Sequence, residues 1–86
     1  MKIKKNIAIS DSGFIFDPGS GDSFTTNPIG LEIIQFLKEG KSKNQIEAEI
    51  IKRYLIDGET FERDYHDFMS VLQKMRLFEE NAKEED

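Results

Sequence analysis

The chain has 86 residues with 37% hydrophobic content, enough for one small domain around a single core and too little for a second. Its net charge of −5 and pI of about 4.9 argue against electrostatic binding to nucleic acid or to an anionic membrane. With no cysteine there is neither a disulfide framework nor a thiolate metal site, and no apolar run approaches the ~18 residues of a transmembrane helix. The expectation is a monomeric cytoplasmic protein.

Lys2, Lys4 and Lys5 precede no apolar h-region, so no secretory signal is expected. Residues 3 to 9 carry Ile3, Ile7 and Ile9 between polar residues and read as a first strand. Asp11-Ser12-Gly13 supplies a turn, and Phe14-Ile15-Phe16 is a strongly β-prone second strand. Asp17-Pro18-Gly19-Ser20-Gly21-Asp22 is the densest turn signal in the chain. Ser23 to Thr26 read as the third strand. Tight turns between short strands make an antiparallel meander, with the first and third strands at its edges.

Asn27 offers a side-chain oxygen as an N-cap, and Pro28 stands at the first helical position, where its missing N–H costs nothing. Ile29, Ile33, Ile34 and Leu37 make one apolar stripe, and Gly40 closes the helix. Ser42-Lys43-Asn44-Gln45 matches a capping box and opens a second helix with Ile46, Ile50, Ile51 and Tyr54 inward. Leu55 to Gly58 break it, with Asp57 or Gly58 as the next cap. Phe61, Tyr65, Phe68, Leu72 and Met75 then show the cleanest helical spacing in the chain, predicting a third helix over roughly Glu59 to Met75. Leu77 and Phe78 are expected to tuck back on the core. Residues 79–86 are acidic and polar and are read as a disordered tail, leaving 1–78 as the domain. Strands followed by helices indicate an α+β fold. Its layout is winged helix-turn-helix-like, with a three-stranded antiparallel N-terminal sheet followed by three helices.

Motifs that could carry catalysis have plainer explanations. Gly40-Lys41-Ser42 resembles the end of a Walker A loop, but Gln35 stands where that motif needs its first glycine. Gly19-Ser20-Gly21 precedes a strand rather than the helix N-terminus that a phosphate cradle requires. Glu62, His66 and Ser70 share one helical row, yet that row lies opposite much of the apolar stripe and reads as solvated. His66 is the lone histidine, which leaves no zinc set, and Asp11, Asp17 and Asp22 lack calcium-loop spacing. No cofactor site is evident. DNA reading is disfavoured because the third helix carries Glu59, Glu62, Asp64 and Asp67 against Arg63, with only Lys74 and Arg76 at its end.

In this order and spacing the sequence resembles the PqqD family of peptide chaperones, also called RiPP recognition elements. The resemblance covers about residues 7 to 78. It is carried by Phe16-Asp17-Pro18 followed by Gly21; by Phe24, Thr26, Asn27 and Gly30; by Ile33, Ile34, Leu37 and Gly40; by Ile46, Ile50 and Tyr54; and by Asp57, Glu59, Asp64, Phe68 and Leu72. The family often has Trp at Ile34, an aliphatic residue at Thr26 and glycine near Arg76. The resemblance implies a non-catalytic binder that holds the leader of a ribosomally made precursor peptide. It would present that peptide to a modifying enzyme, often of the radical-SAM type, as in coenzyme PQQ biosynthesis. The peptide would add beside the third strand, in a groove between that strand and the third helix.

The residues support the same place. The third strand is a sheet edge that no Lys or Pro guards, which suits strand addition. The expected peptide-binding set is Ser23, Phe24, Thr25, Thr26 and Asn27 from the strand side, with Tyr65, Met69 and Leu72 as the helix wall. Phe68 stands either beside these or wholly in the core. Met69 falls next to the main stripe, where a flexible apolar side chain suits a groove. Two rival readings are a small adaptor that docks directly on an enzyme through its Phe/Met surface, and a winged-helix DNA-binding regulator.

Overall fold

A computed structural model describes residues 2–79. The chain runs β1 (Ala8–Ile9), β2 (Phe14–Phe16), β3 (Ser23–Thr25), α1 (Pro28–Lys38), α2 (Lys43–Tyr54) and α3 (Gly58–Lys74). The sheet is antiparallel in the order β1-β2-β3, which leaves β3 as an outer strand. Ala8 pairs with Phe16 and Ile15 with Phe24. Alternation puts Ile15 in the core and turns Phe14 outward, 44% exposed. Of the expected tail 79–86, Glu79 is described and half-buried, with its N–H on the Lys2 carbonyl, and residues 80–86 lie outside the described residues.

The first strand is shorter than the expected 3–9. Ile7 N–H donates to the Lys4 carbonyl and makes a turn, so only Ala8 and Ile9 join β2. Ile3 instead bridges to Phe78, flanked by bonds from Lys4 N–H to Leu77 O and from Glu79 N–H to Lys2 O. Both isoleucines are buried, as is Leu77, so the apolar pattern is satisfied by two separate pairings. The ammonium of Lys38 donates to the Ile7 carbonyl at 3.0 Å and ties the end of α1 to this segment.

The helix ends follow their local chemistry. Asn27 Oδ1 accepts the Gly30 N–H at 2.8 Å and caps α1. The capping box of Ser42 and Gln45 opens α2. Asp57 accepts from Thr60 N–H and caps α3; those hydrogen bonds hold its carboxyl below the usual aspartate range. At the C-terminus of α1, Gly40 (φ +86°) and Lys41 return their N–H groups to Leu37 and Phe36, a Schellman motif. The end of α3 repeats it with Arg76 at φ +59°. Leu77 then closes on Leu72, its N–H bonded to the Leu72 carbonyl.

The core lies between the sheet and the helices and is centred on Ile15, Ile34, Ile46, Ile50, Phe61 and Leu72, all nearly or wholly inaccessible. Polar clasps close its rim. The Glu32 carboxylate accepts from Arg53 and Tyr54, joining α1 to α2, and Lys43 pairs with Glu62, joining α2 to α3.

Leu55 ends α2 in the left-handed region (φ +54°, ψ +40°) and is 90% exposed. Its backbone is strained for an L side chain, and that side chain packs on nothing that would offset the strain. Leu55→Gly should therefore raise stability by about 0.5–1 kcal/mol after the extra entropy of glycine in the unfolded chain. Thermal unfolding checks this as a rise of a few degrees in Tm.

Candidate functional site

The free edge of β3 can be read from its ladder. Asp17 N–H donates to Asp22 O at 2.9 Å, and Thr26 N–H donates to Gly13 O at 2.9 Å. Together with the 15–24 pairing, these bonds make Ile15–Phe24 a hydrogen-bonded pair. Phe24 therefore spends its backbone groups on β2. Ser23 and Thr25 turn theirs outward: two N–H donors and two carbonyl acceptors on the open side of the sheet. Both side chains are exposed, while Phe24 points inward and is half-buried.

Beyond that edge, where β3 runs into α1, a cleft of about 370 Å³ opens between α1 and α3. Asn27, Ile29, Gly30 and Ile33 form the α1 side, and Asp64, Asp67, Phe68 and Val71 the α3 side. Gly30 makes this junction close. A Cβ there would stand 2.0 Å from Thr26 Oγ1 and 3.1 Å from the Phe68 ring. The Phe68 ring and the Thr26 side chain thus meet over the first turn of α1.

The expected site residues divide accordingly. Ser23, Thr25, Thr26, Asn27 and Phe68 lie along the edge or around the cleft. Leu72 is fully enclosed and has no surface for a ligand, which corrects its expected place in the wall. Tyr65 is also buried, stacked on Phe61 at 5.2 Å between ring centroids with the Lys43 ammonium over its ring. Burial pushes its phenol pKa up. Met69 is half-buried against the core and outside the cleft lining.

Ile29, Gly30, Ile33, Asp64, Asp67 and Val71 belong to the cleft without having been expected there as site residues. Their signal on α3 was a second row at 64, 67/68 and 71, parallel to the core row at 61, 65 and 72. Val71, apolar and 44% exposed, marks that row best.

Glu62 is held by Lys43, and His66 is exposed beside Asp67, so the Glu62/His66/Ser70 row is not a convergent set. Among the described residues no group of His, Cys, Asp or Glu is arranged to hold a metal ion, and no helix is long and apolar enough to cross a membrane.

A small α+β domain with an unsatisfied strand edge beside an apolar cleft belongs to the class of peptide-binding modules. The profile of the coenzyme PQQ synthesis protein D family (PqqD) matches residues 13–77, and the chain is a member of that family. Members of this kind are non-catalytic peptide-binding proteins, and this chain is accordingly a binding protein and not an enzyme. A similar solved structure is TbiB1 in complex with the TbiA(β) leader peptide. The two chains are 32% identical, with a TM-score of 0.80, over 92% of this chain and 95% of TbiB1. No curated protein matches the chain in sequence.

Proposed function

We propose that the chain binds the leader of a ribosomally synthesised precursor peptide as a fourth strand on β3 and presents the remainder to a modifying enzyme of the radical-SAM type. The observation that carries this reading is the outward ladder of Ser23 and Thr25 beside the Phe68–Val71 cleft. The leader peptide bound by TbiB1 supports it. The cytoplasm is where such a peptide would be met, and the chain would act there as a monomer.

Magnitudes decide how the site works. Four edge hydrogen bonds at about 0.5–1.5 kcal/mol each give roughly 2–6 kcal/mol. That covers at most the lowest part of an association cost of about 4–15 kcal/mol. The cleft must add at least one buried apolar side chain, worth about 1.5–3 kcal/mol. Backbone pairing therefore supplies the pose and the cleft supplies the selectivity, with modest, reversible affinity as the outcome.

The test is an amide NMR titration of the full chain with synthetic peptides from reading frames adjacent to its gene. Saturable shifts at Ser23–Asn27, Gly30 and Phe68–Val71 are expected. Saturable shifts confined to the Leu55 or α2 surface would reject strand addition and favour the adaptor reading.

A further inference from the structure

The groove beside β3 has a charge axis. Where β3 runs into α1, the cleft carries Asp64 and Asp67 and no cation in its lining. Arg63 lies 3.6 Å from Asp64, but the two side chains are 71% and 55% exposed, where an ion pair neutralises little. At the opposite end of β3, a second cleft of about 450 Å³ brings Lys74 and Arg76, from the end of α3, to Ser20 and Asp22. In that cleft Asp17 is matched by Lys4 at 3.9 Å. Lys74 and Arg76 make no ion pair among the described residues. The residues that flank β3, Asp22 and Asn27, line the two clefts together with α3 and its end. One cleft carries two carboxylates and no cation; in the other Lys74 and Arg76 outnumber Asp22, unpaired among the described residues, and leave one net positive charge.

The length between the ends fixes what spans them. The stretch from Asp22 to Asn27 is about 17 Å when extended, and side chains on one face of a strand recur at even spacings, so charges about six residues apart on an added strand reach both clefts from the helix face. Direction follows from pairing. Antiparallel addition is the more stable per residue and continues the sense of both existing ladders. An antiparallel strand begins beside Asn27 and ends beside Asp22.

We infer that the segment bound on β3 is bipolar: a Lys or Arg at its N-terminal end over Asp64 and Asp67, an apolar residue near Phe68 and Val71, and an Asp or Glu about six residues after the basic one, near Lys74 and Arg76. This rests on strand addition and deepens it. A short free edge specifies register weakly by itself, since every residue offers the same backbone groups. Charges of opposite sign at the two ends penalise a reversed or slipped peptide, which is how electrostatics contributes specificity more than affinity.

Three acetylated and amidated peptides test it by amide titration. The forward peptide is Ser-Gly-Lys-Thr-Phe-Thr-Val-Thr-Glu-Gly-Ser, with Lys, Phe, Val and Glu on one strand face, the second exchanges its Lys and Glu, and the third has Gln at both charged positions. The wild type should bind the forward peptide about tenfold more tightly than the exchanged one at low salt, with the neutral peptide between and the ratio shrinking at 0.5 M salt. The double variant D67K/K74E keeps the net charge and alters only exposed side chains; it sets a cation against Asp64 and a carboxylate against Arg76, and it should lose the preference for the forward peptide. Equal affinity for all three, with shifts along Ser23–Thr26, would overturn the charge axis and leave strand addition standing. A preference that persists unchanged in D67K/K74E would also overturn the axis. No shifts with any peptide at millimolar concentration would reject strand addition and the axis together.

Discussion

Thr25→Pro should lower leader-peptide affinity by about 50-fold or more while the domain stays folded. The Thr25 N–H faces away from β2, so proline there removes no bond of the existing sheet. Proline is tolerated on an edge strand in this orientation, and its effect on the preceding residue favours the extended conformation that Phe24 already has. The stability cost should stay below about 1 kcal/mol. A peptide strand would lose one donor, keep an unsatisfied carbonyl worth about 1–3 kcal/mol, and meet the pyrrolidine ring where its backbone should lie. Phe24→Pro is the matched control. It removes the N–H bonded to Ile15 and the Phe24 side chain packed on the core, and it should destabilise the domain by about 3 kcal/mol. Urea unfolding and peptide titration of both variants separate the effects. Thr25→Pro with wild-type affinity would refute strand addition, because no fourth strand can pair across that ring.

What the sequence disclosed and what it withheld follow from the range of the interactions. Asn27, Ser42 and Asp57 sit where their caps act, because a cap is a contact within one turn of the residue that makes it. The turn chemistry between Asp17 and Asp22 is equally local, and it delivered β3 to the sheet edge. The pairing of Ile3 with Phe78 joins the two ends of the fold, so no local pattern announces it, and Ile3 to Ile9 read as one strand. On α3 the periodicity identified the buried face but not its border. Phe68 and Leu72 belong to the same apolar stripe, and only the tertiary contact decides between them. Leu72 meets Leu77 under the C-terminal motif and is enclosed. Phe68 meets α1, and the cleft opens beside it. That α1 comes this near depends on one residue without a side chain, whose role a helical wheel of α3 does not contain.

That residue is Gly30, and its replacement should destabilise the domain even though a helix favours a larger side chain. Helix propensity alone favours alanine over glycine by about 1 kcal/mol in a helix interior and by less in the first turn, where Gly30 stands. The site opposes this. An added Cβ would lie 2.0 Å from Thr26 Oγ1 and 3.1–3.2 Å from two carbons of the Phe68 ring. The β-branched Thr26 has few χ1 options, and the Phe68 ring is packed on the core on its other side, so neither yields freely. Overpacking of this kind costs about 1–3 kcal/mol. Gly30→Ala should therefore lose about 1 kcal/mol net. Gly30→Val, with a poorer helix former and two further methyls, should lose about 2–3 kcal/mol. Thr26→Ala removes the nearer obstacle, so the Gly30→Ala/Thr26→Ala pair should show a favourable coupling of about 1 kcal/mol in a double-mutant cycle. The same cycle reads the site. Where Phe68 shifts to admit the new methyl, the cleft narrows and peptide affinity falls in Gly30→Ala, and it recovers in the double variant. Should Gly30→Ala instead stabilise the domain by the amount its helix propensity dictates, α1 and α3 would not meet over Thr26. The cleft would then lose its floor, and the case for a side-chain pocket beside β3 would fall with it.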